Sequence, residues 1–212
     1  MTDIHVITRE NRAYYSDLIE QHHRARHDIF VGERGWNDLR RDDCRDVDDY
    51  DDEHAIYLLA VDGSKLVGGQ RLYPTLRPHM LSEVFPHLVH RALPTGPQIY
   101  EWTRYFVVKE RRYGRTDCRL LAAVQQFCLN EDIVQLTAVV EMWWLPRWQQ
   151  AGFKSRPLGL PQVIEGQPTL AVSIDISDAS LAAVRRQGGL RRDDLVTHHL
   201  SQPTTGVRSY AA

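Results

Sequence analysis

Alternating strand-like and helix-like segments constrain the fold of this chain more than any other feature of its sequence. Runs of apolar and β-branched residues, such as IHVIT (4–8) and QIYEWTRYFVV (98–108), are separated by stretches whose apolar residues recur at helical spacing. In order they predict β-α-β-β-(α)-β-α-β-α-β, with a hairpin turn at DGS (62–64). This alternation predicts an α/β fold of the mixed-sheet, α+β kind, with helices on both faces in a three-layer α-β-α sandwich.

The size and composition of the chain fit one domain. Its 212 residues are 42% hydrophobic and 25% charged, which suffices for a buried core. We assign residues 1–187 to this domain and residues 188–212, which begin GGLRRDDL, to a weakly packed tail. The formal net charge of −2 argues against a general nucleic-acid binder, which would carry a basic surplus.

The cysteines and the N-terminus predict a cytoplasmic protein. Cys44, Cys118 and Cys128 are an odd number without a C-x-x-C pair, a pattern that favours reduced thiols over a disulfide framework. The sequence MTDIHVITRENR lacks the features of a signal peptide, and no apolar run approaches the length of a membrane span. We therefore expect no membrane partner.

Six carboxylates crowd into nine residues, from Asp46 to His54, directly before an apolar strand. A calcium-binding EF-hand loop starting at Asp46 is excluded, because its fifth position would be Tyr50 and its twelfth Tyr57. The ten histidines show no convincing metal-binding pattern, and we interpret them as surface residues. The sequence therefore predicts no metal site, and the acidic segment needs another explanation.

Arginines within predicted strands supply that explanation. Arg71 lies in GGQRLY and Arg104 in EWTRYF, and a buried arginine is costly unless a carboxylate pairs with it. The natural partners are Asp48, Asp51 and Glu101. Such a group could form a pocket for a cation, or it could be a purely structural ion-pair network, and the residues alone leave both open.

Spacing within the fourth strand makes a further structural prediction. Glu101 and Arg104 are three residues apart and would lie on opposite faces of a regular strand. If both serve one pocket, a β-bulge near Trp102–Thr103 must redirect one of them.

The loop RRYGRT (111–116) lies between a predicted strand and an amphipathic helix. Acetyltransferases of the GNAT type use Q/R-x-x-G-x-G/A at this point, where backbone amides at the helix N-terminus bind the pyrophosphate of coenzyme A. Arg111 and Gly114 match that pattern, whereas Thr116 replaces its last small residue. The strand–loop–helix unit at 98–130 is typical of acyltransferase folds.

Taken together, these residues resemble the acyl-homoserine-lactone synthases, the LuxI-type autoinducer synthases. The matching positions are ordered along about the first half of the chain and continue through TAVVEMWWLPRWQQAGF. The chain departs from many members at two places, with Asp46 in place of Glu and Val140–Glu141 in place of a small hydroxyl residue. The matching residues are Arg26, Phe30, Trp36, Asp48, Asp51, Arg71, Glu101 and Arg104.

The resemblance implies a GNAT-like enzyme that N-acylates S-adenosylmethionine with an acyl thioester and closes the lactone, releasing methylthioadenosine. It implies catalytic roles for Glu101, as general base, and for Asp48, Arg71 and Arg104. Its implied S-adenosylmethionine site is Arg26, Phe30, Trp36, Asp48, Asp51 and Arg104. Its implied acyl pocket is Tyr105, Met142, Trp143 and Trp144. Its implied thioester-donor contacts are Phe106, Val107, Arg111, Arg112, Gly114, Arg115 and Thr116.

The acyl donor is the open point of this assignment. Most of the family uses acyl carrier protein, an acidic partner for which the arginines near 111–119 and Arg147 could form a docking surface. Bulky Trp143 and Trp144, with the near-match loop, favour a short branched or aryl acyl-CoA instead. No cofactor and no metal are expected. The alternatives are another GNAT-type N-acyltransferase and a non-catalytic surface for a basic partner.

Overall fold

The computed structural model describes residues 2–191 and 195–197, and the described part contains nine strands and five α-helices. The strands are β1 (Thr2–Ile7), β2 (Ile56–Asp62), β3 (Lys65–Pro74), β4 (Ile99–Val107), β5 (Gln135–Glu141), β6 (Lys154–Pro157), β7 (Gln162–Ile164), β8 (Gln167–Asp175) and β9 (Leu195–Val196). The helices are α1 (Ser16–His27), α2 (Met80–Glu83), α3 (Thr116–Asn130), α4 (Trp144–Gln150) and α5 (Asp178–Gly188).

Strand β2 shows why helices cover both faces of the sheet. Successive side chains of a strand point to opposite faces, and both sets in β2 are apolar. Leu58 and Ala60 pack into the core beneath α3 and α5, whereas Tyr57 and Leu59 pack into the core beneath α1. The predicted three-layer α-β-α sandwich is therefore confirmed.

The strand order β6-β8-β5-β4-β3-β2-β1-β9, with β7 paired to β8, makes one mixed sheet. Within it, β4 and β5 run parallel but pair only over Ile99–Glu101 and Gln135–Thr137. Beyond those residues the two strands separate, while β4 stays paired with β3 as far as Val107. The separation opens a crevice in the middle of the sheet.

Two adjacent glycines in β3 let both helical layers approach the sheet closely. A Cβ atom on Gly68 would lie 2.8 Å from Leu120 Cδ1 of α3, and one on Gly69 would lie 2.9 Å from His22 Nδ1 of α1. Any side chain at either position would displace a helix or a neighbouring residue.

The apolar residues recur at helical spacing from Arg9 to about Val31, which predicts one helix, but the structure divides this stretch into three segments. A 3₁₀ turn (Arg12–Tyr15) precedes α1, and a π-helical segment (Asp28–Glu33) follows it. A π-helical turn advances the chain by an extra residue, and here it carries Phe30 and Arg34 toward the crevice.

Strands β6, β7 and β9 were not predicted. The sequence KSRP of β6 is polar and mostly exposed, and β7 and β9 have only three and two residues, so neither shows a usable alternation.

The division at residue 188 stays a prediction. Helix α5 ends at Gly188 and β9 pairs with β1, but residues 192–194 and 198–212 lie outside the described residues. Over the described ranges, no helix is long and apolar enough to cross a membrane.

Candidate active site

Three arginines and three aspartates meet on the α1 face of the sheet. Arg26 of α1 donates from Nε to Asp46 Oδ2 (2.9 Å) and from Nη1 to Asp51 Oδ1 (2.7 Å). Arg71 of β3 approaches Asp51 Oδ1 with Nη1 (2.9 Å) and donates from Nη2 to Asp48 Oδ2 (3.1 Å). The predicted convergence of the acidic loop on arginines of neighbouring strands is confirmed for Asp48 and Asp51. Glu101, the third predicted partner, accepts backbone N–H groups and forms no salt bridge with the described arginines.

Arg104 completes this group, which we call the ion-pair cluster: Arg26, Arg71, Arg104, Asp46, Asp48 and Asp51. Its Nη2 donates to Asp48 Oδ2 (2.8 Å), and its Nε lies 3.0 Å from Asp46 Oδ2. Three positive and three negative charges balance, which makes burial of the group tolerable.

The arginines keep the buried aspartates ionised. Burial alone would raise the pKa of Asp46, but the nearby charges of Arg104 and Arg26 outweigh it and hold the pKa below its usual value. The same balance holds for Asp51, where the charges of Arg71 and Arg26 overcome the effect of burial and lower the pKa. Burial lowers the pKa of Arg104, with the repulsion of Arg26 acting in the same direction.

A β-bulge brings Arg104 to this face, as the spacing predicted, but the predicted position near Trp102–Thr103 is wrong. Between the pairs Gly69–Phe106 and Arg71–Thr103, strand β3 advances two residues and β4 advances three. The extra residue falls at Arg104–Tyr105, and Arg104 has a φ of 53°, in the left-handed region. In a regular strand Arg104 would share the opposite face with Trp102, whereas the bulge returns it to the face of Glu101.

Glu101 is buried at the foot of the crevice. Its Oε1 accepts the backbone N–H of Leu81 (2.6 Å) and its Oε2 that of Met80 (3.1 Å), at the start of α2. Burial raises the pKa of Glu101, and the opposing influences of His79 and these two N–H groups do not cancel it. A carboxylate with a raised pKa is better suited to accept a proton than an ordinary surface carboxylate.

The crevice holds a cavity of about 410 Å³. Phe30 and Trp36 stack along one wall with ring centroids 5.1 Å apart, and the Arg104 guanidinium lies 5.7 Å from the centroid of the Phe30 ring. Four carboxylates line the cavity against two guanidinium groups, so it favours a cation: Asp38, Glu101, Glu141 and Glu165, against Arg34 and Arg104.

The ion-pair cluster lies behind this cavity. Three of the residues predicted to bind S-adenosylmethionine line the cavity: Phe30, Trp36 and Arg104. The other three do not: Arg26, Asp48 and Asp51. The side chain of Asp51 is 1% exposed and that of Asp48 is 20% exposed. The cluster therefore orients Arg104, and Asp48 is its most accessible carboxylate.

The residues predicted to form the acyl pocket divide between the cavity and its surroundings. Tyr105 and Trp144 line the cavity, together with Trp102 and Trp148. Met142 and Trp143 do not line it: Met142 is 39% exposed, and Trp143, which is 51% exposed, lines the second recess described next. Strand β5 ends at Glu141, and both residues lie in the turn before α4.

A second recess lies on the other side of Tyr105, Trp144 and Arg34, which also line the cavity. It contains Phe106, Val107 and Arg112, which were predicted to contact the thioester donor. The N–H of Val108 donates to Val67 O of β3 (3.1 Å), so the alternation of the strand directs the Val107 N–H toward the open side. A reacting oxygen in this recess could accept a hydrogen bond from it.

The loop before α3 lines a third recess, with Arg111, Gly114, Arg115 and Thr116 around it. Arg111 pairs with Asp62, and Arg112 pairs with Glu33 (2.7 Å). Two of the three arginines predicted to contact the donor are therefore already neutralised. Arg147, which was predicted for the alternative docking surface, is likewise paired with Asp117 (2.5 Å).

Sequence reasoning missed Arg34, which joins the two walls of the crevice. Its Nη1 donates to Glu141 Oε2 (3.0 Å), and its guanidinium lies between the rings of Trp36 (5.5 Å) and Trp143 (5.8 Å). Its position in GERGW, two residues before Trp36, was the only available signal. The partner Glu141 lies 107 residues away along the chain.

The interpretation of the histidines as surface residues is wrong for His22, His23, His27 and His79, which are buried. Burial lowers the pKa of His23 to about 4, so this side chain is neutral at pH 7. His198 and His199 lie outside the described residues.

Asp52, Glu53 and His54 place atoms that could bind a metal ion within 4.8 Å of one another. The Asp52 carboxylate, however, already accepts hydrogen bonds from the Tyr73 hydroxyl and the His54 N–H.

The parallel pair that separates around a cavity, with a loop and helix beside it, defines an N-acyltransferase fold of the GNAT type. An acyl-CoA N-acyltransferase from Pseudomonas aeruginosa shares this fold with a TM-score of 0.59 over 82% of this chain and 99% of that one, at 13% identity. At that identity the likeness concerns the fold alone.

The chain belongs to the autoinducer synthase family, whose model matches residues 10–184. The isovaleryl-homoserine lactone synthase of Bradyrhizobium diazoefficiens is 53% identical over 188 residues, which cover 88% of this chain and 86% of that protein. A solved CoA-dependent acyl-homoserine lactone synthase, in complex with SAM and isopentyl-CoA, matches with a TM-score of 0.91 and 49% identity over 95% of this chain and 96% of that one.

Proposed function

We propose that this protein is an acyl-homoserine-lactone synthase that joins S-adenosylmethionine to a short branched acyl-CoA. The observation that supports this most directly is the crevice itself. On one wall it carries a stacked aromatic pair, Arg104 and a buried Glu101, and it opens toward the loop before α3. A sulfonium cation suits the aromatic rings and the carboxylates, and the α-carboxylate of methionine suits Arg104.

Glu101 acts in the first step, in which the amide bond forms. The ammonium group of S-adenosylmethionine loses a proton through a water molecule to Glu101, and the free amine attacks the thioester carbonyl carbon. The Val107 N–H stabilises the oxyanion that develops. The C–S bond then breaks, the nitrogen loses its second proton as the amide forms, and the departing thiolate of coenzyme A takes up a proton to leave as the free thiol. The raised pKa of Glu101 matches this role as a proton acceptor.

Arg104 acts in the second step, in which the lactone closes. A carboxylate oxygen of the acylated intermediate attacks the γ-carbon, whose bond to sulfur breaks. The electron pair of that bond stays on sulfur, and neutral methylthioadenosine leaves. Asp46 and Asp48 hold Arg104 in place, so its guanidinium can orient the carboxylate without a loss of conformational freedom at this step.

The acyl group occupies the deep apolar part of the cavity. Trp102 and Trp148 stack there with centroids 5.1 Å apart, and Trp144 and Val140 narrow the remaining space. These side chains leave room for a short branched chain and obstruct a long unbranched one. The relative that makes isovaleryl-homoserine lactone and the neighbour solved with isopentyl-CoA support the same choice.

Product analysis by mass spectrometry tests this proposal. The protein is incubated with S-adenosylmethionine and, in separate reactions, with isovaleryl-, butyryl-, octanoyl-, benzoyl- and acetyl-CoA and with isovaleryl-acyl carrier protein. We expect isovaleryl-homoserine lactone and methylthioadenosine. Acetyl transfer without methylthioadenosine would instead identify a different GNAT-type N-acyltransferase, and turnover of isovaleryl-acyl carrier protein alone would assign the other donor class.

We also propose that the reaction takes place in the cytoplasm. Cys44, Cys118 and Cys128 are free thiols, which persist in a reducing compartment. A thiol-alkylating reagent applied to intact cells should modify the exposed Cys44. A Cys44 thiol that resists modification in intact cells would contradict this location.

A further inference from the structure

A groove lined by arginines lies between the N-terminus of α3 and the C-terminus of α5. The two helices are antiparallel, because Gln125 of α3 meets Ser177 at the start of α5 while Cys118 meets Gly188 at its end. Gly188 lets the ends approach closely, since a Cβ atom there would lie 2.6 Å from Cys118 Cβ. The groove is lined by Arg115, Arg119, Arg185, Arg186 and Arg191.

Four of the five arginines of this groove lack a carboxylate partner within residues 2–191 and 195–197. No carboxylate of those ranges forms a salt bridge with Arg115, Arg185, Arg186 or Arg191, although Arg185 donates a hydrogen bond to Gln126 (3.0 Å). By contrast, Arg111 and Arg112 each have a carboxylate partner. Arginines in the last turn of α5 favour its macrodipole, but that does not explain Arg115, which belongs to the other helix. Such a group of guanidinium charges is suited to a multiply charged anion.

The groove continues from the recess at the loop before α3. Arg115 and Arg119 line both, and residues four apart on a helix are one turn apart, or about 5–6 Å. A ligand that places one phosphate group at the loop can therefore place another in the groove. Coenzyme A has this form, with a pyrophosphate and a separate 3′-phosphate on its ribose. The pantetheine arm of a carrier protein has a single phosphodiester.

We infer that the groove between α3 and α5 binds the 3′-phosphate of the acyl-CoA donor, with Arg185 and Arg186 as contacts that the loop alone does not supply. This inference rests on the proposed function, because it concerns the donor of that reaction. It assigns the discrimination between CoA and carrier-protein donors to a site remote from the acyl pocket.

The test compares isovaleryl-CoA with isovaleryl-3′-dephospho-CoA in steady-state kinetics. For the unmodified protein we expect the KM of the dephospho donor to be higher by about tenfold to hundredfold, the range for hydrogen bonds to a charged group. In the variant Arg185→Gln/Arg186→Gln, the ratio of the two KM values should fall toward one. A KM ratio does not depend on the fraction of active enzyme, so partial misfolding does not obscure it.

The matched control is Arg41→Gln/Arg91→Gln, which removes two exposed arginine charges outside the groove. This variant should keep the KM ratio of the unmodified protein. Equal KM values for both donors in the unmodified protein, or an unchanged ratio in the Arg185→Gln/Arg186→Gln variant, would overturn the inference while leaving the proposed function intact. Absence of turnover with every acyl-CoA would instead reject the proposed function.

Discussion

The two walls of the crevice are built on different physical principles. The wall formed by α1, β3 and β4 holds three buried positive and three negative charges at salt-bridge distances, and loss of any one of them leaves the remaining charges unbalanced. The wall formed by β5 and α4 is mainly apolar, with Glu141 at its edge, and its ring Trp144 contacts Trp148 of the same wall and Tyr105 of β4. We therefore propose that the charged wall determines the chemistry, whereas the mainly apolar wall determines which acyl group fits.

The largest expected effect is on stability, from loss of Asp51. The substitution Asp51→Asn leaves Arg26 and Arg71 without their shared carboxylate, so the free energy of unfolding should fall by about 3–5 kcal/mol. Urea denaturation measures this, with Glu165→Gln on the opposite wall as the control. A decrease in the free energy of unfolding of less than about 1 kcal/mol would show that Arg26 and Arg71 do not depend on the Asp51 carboxylate.

The same cluster sets a pH dependence of stability. The folded-state pKa of both Asp46 and Asp51 is lowered, so their stabilising contribution is complete above about pH 4, the unfolded pKa of aspartate, and is lost as pH falls below it. Chemical denaturation at pH 7 to pH 3 should show this decline. The decline should be shallower in Asp51→Asn, and identical profiles would contradict the role of Asp51.

The next effect is on rate. Glu101→Gln keeps an oxygen for the N–H of Leu81 but removes the proton acceptor, so kcat should fall by about a hundredfold to ten-thousandfold. Release of methylthioadenosine measures kcat. The control Glu141→Gln changes a carboxylate of the same cavity on the other wall and should retain most activity. Equal losses in the two variants would remove Glu101 from its role as general base.

A smaller effect, on specificity, is expected from the apolar wall. Trp144→Leu enlarges the cavity, so the ratio of kcat/KM for octanoyl-CoA to that for isovaleryl-CoA should rise by about tenfold or more. Trp143→Leu is the comparison variant, because this neighbouring ring is half exposed and lines the second recess but not the cavity. A shift of the same size in Trp143→Leu would contradict the assignment of the acyl pocket.

The smallest effect concerns the link between the walls. Arg34 and Glu141 are partly exposed, so a double-mutant cycle of Arg34→Gln and Glu141→Gln should give a coupling free energy of about 1 kcal/mol or less. Urea denaturation of the two single variants and the double variant provides the value. A coupling above about 3 kcal/mol would mean that the walls are held together as one rigid unit.

The sequence predicted the charged wall better than the apolar one, for a physical reason. Arg71 and Arg104 lie in strands otherwise built for burial, so each needed a carboxylate, and the acidic loop was the available source. No comparable charge requirement identified the acyl-pocket residues among Met142, Trp143 and Trp144. Adjacent bulky residues in a turn face different ways, and the tertiary structure determines which of them faces inward. The Arg34–Glu141 contact and the short strands β6, β7 and β9 depend on tertiary contacts that no local pattern encodes.

The stoichiometry of the reaction tests the central claim most directly. With S-adenosylmethionine and isovaleryl-CoA, initial rates of free thiol release and of methylthioadenosine release are measured in the same sample. The account predicts equal rates for the two products, each abolished by omitting either substrate. Thiol release that proceeds without methylthioadenosine, or at the same rate without S-adenosylmethionine, would contradict it.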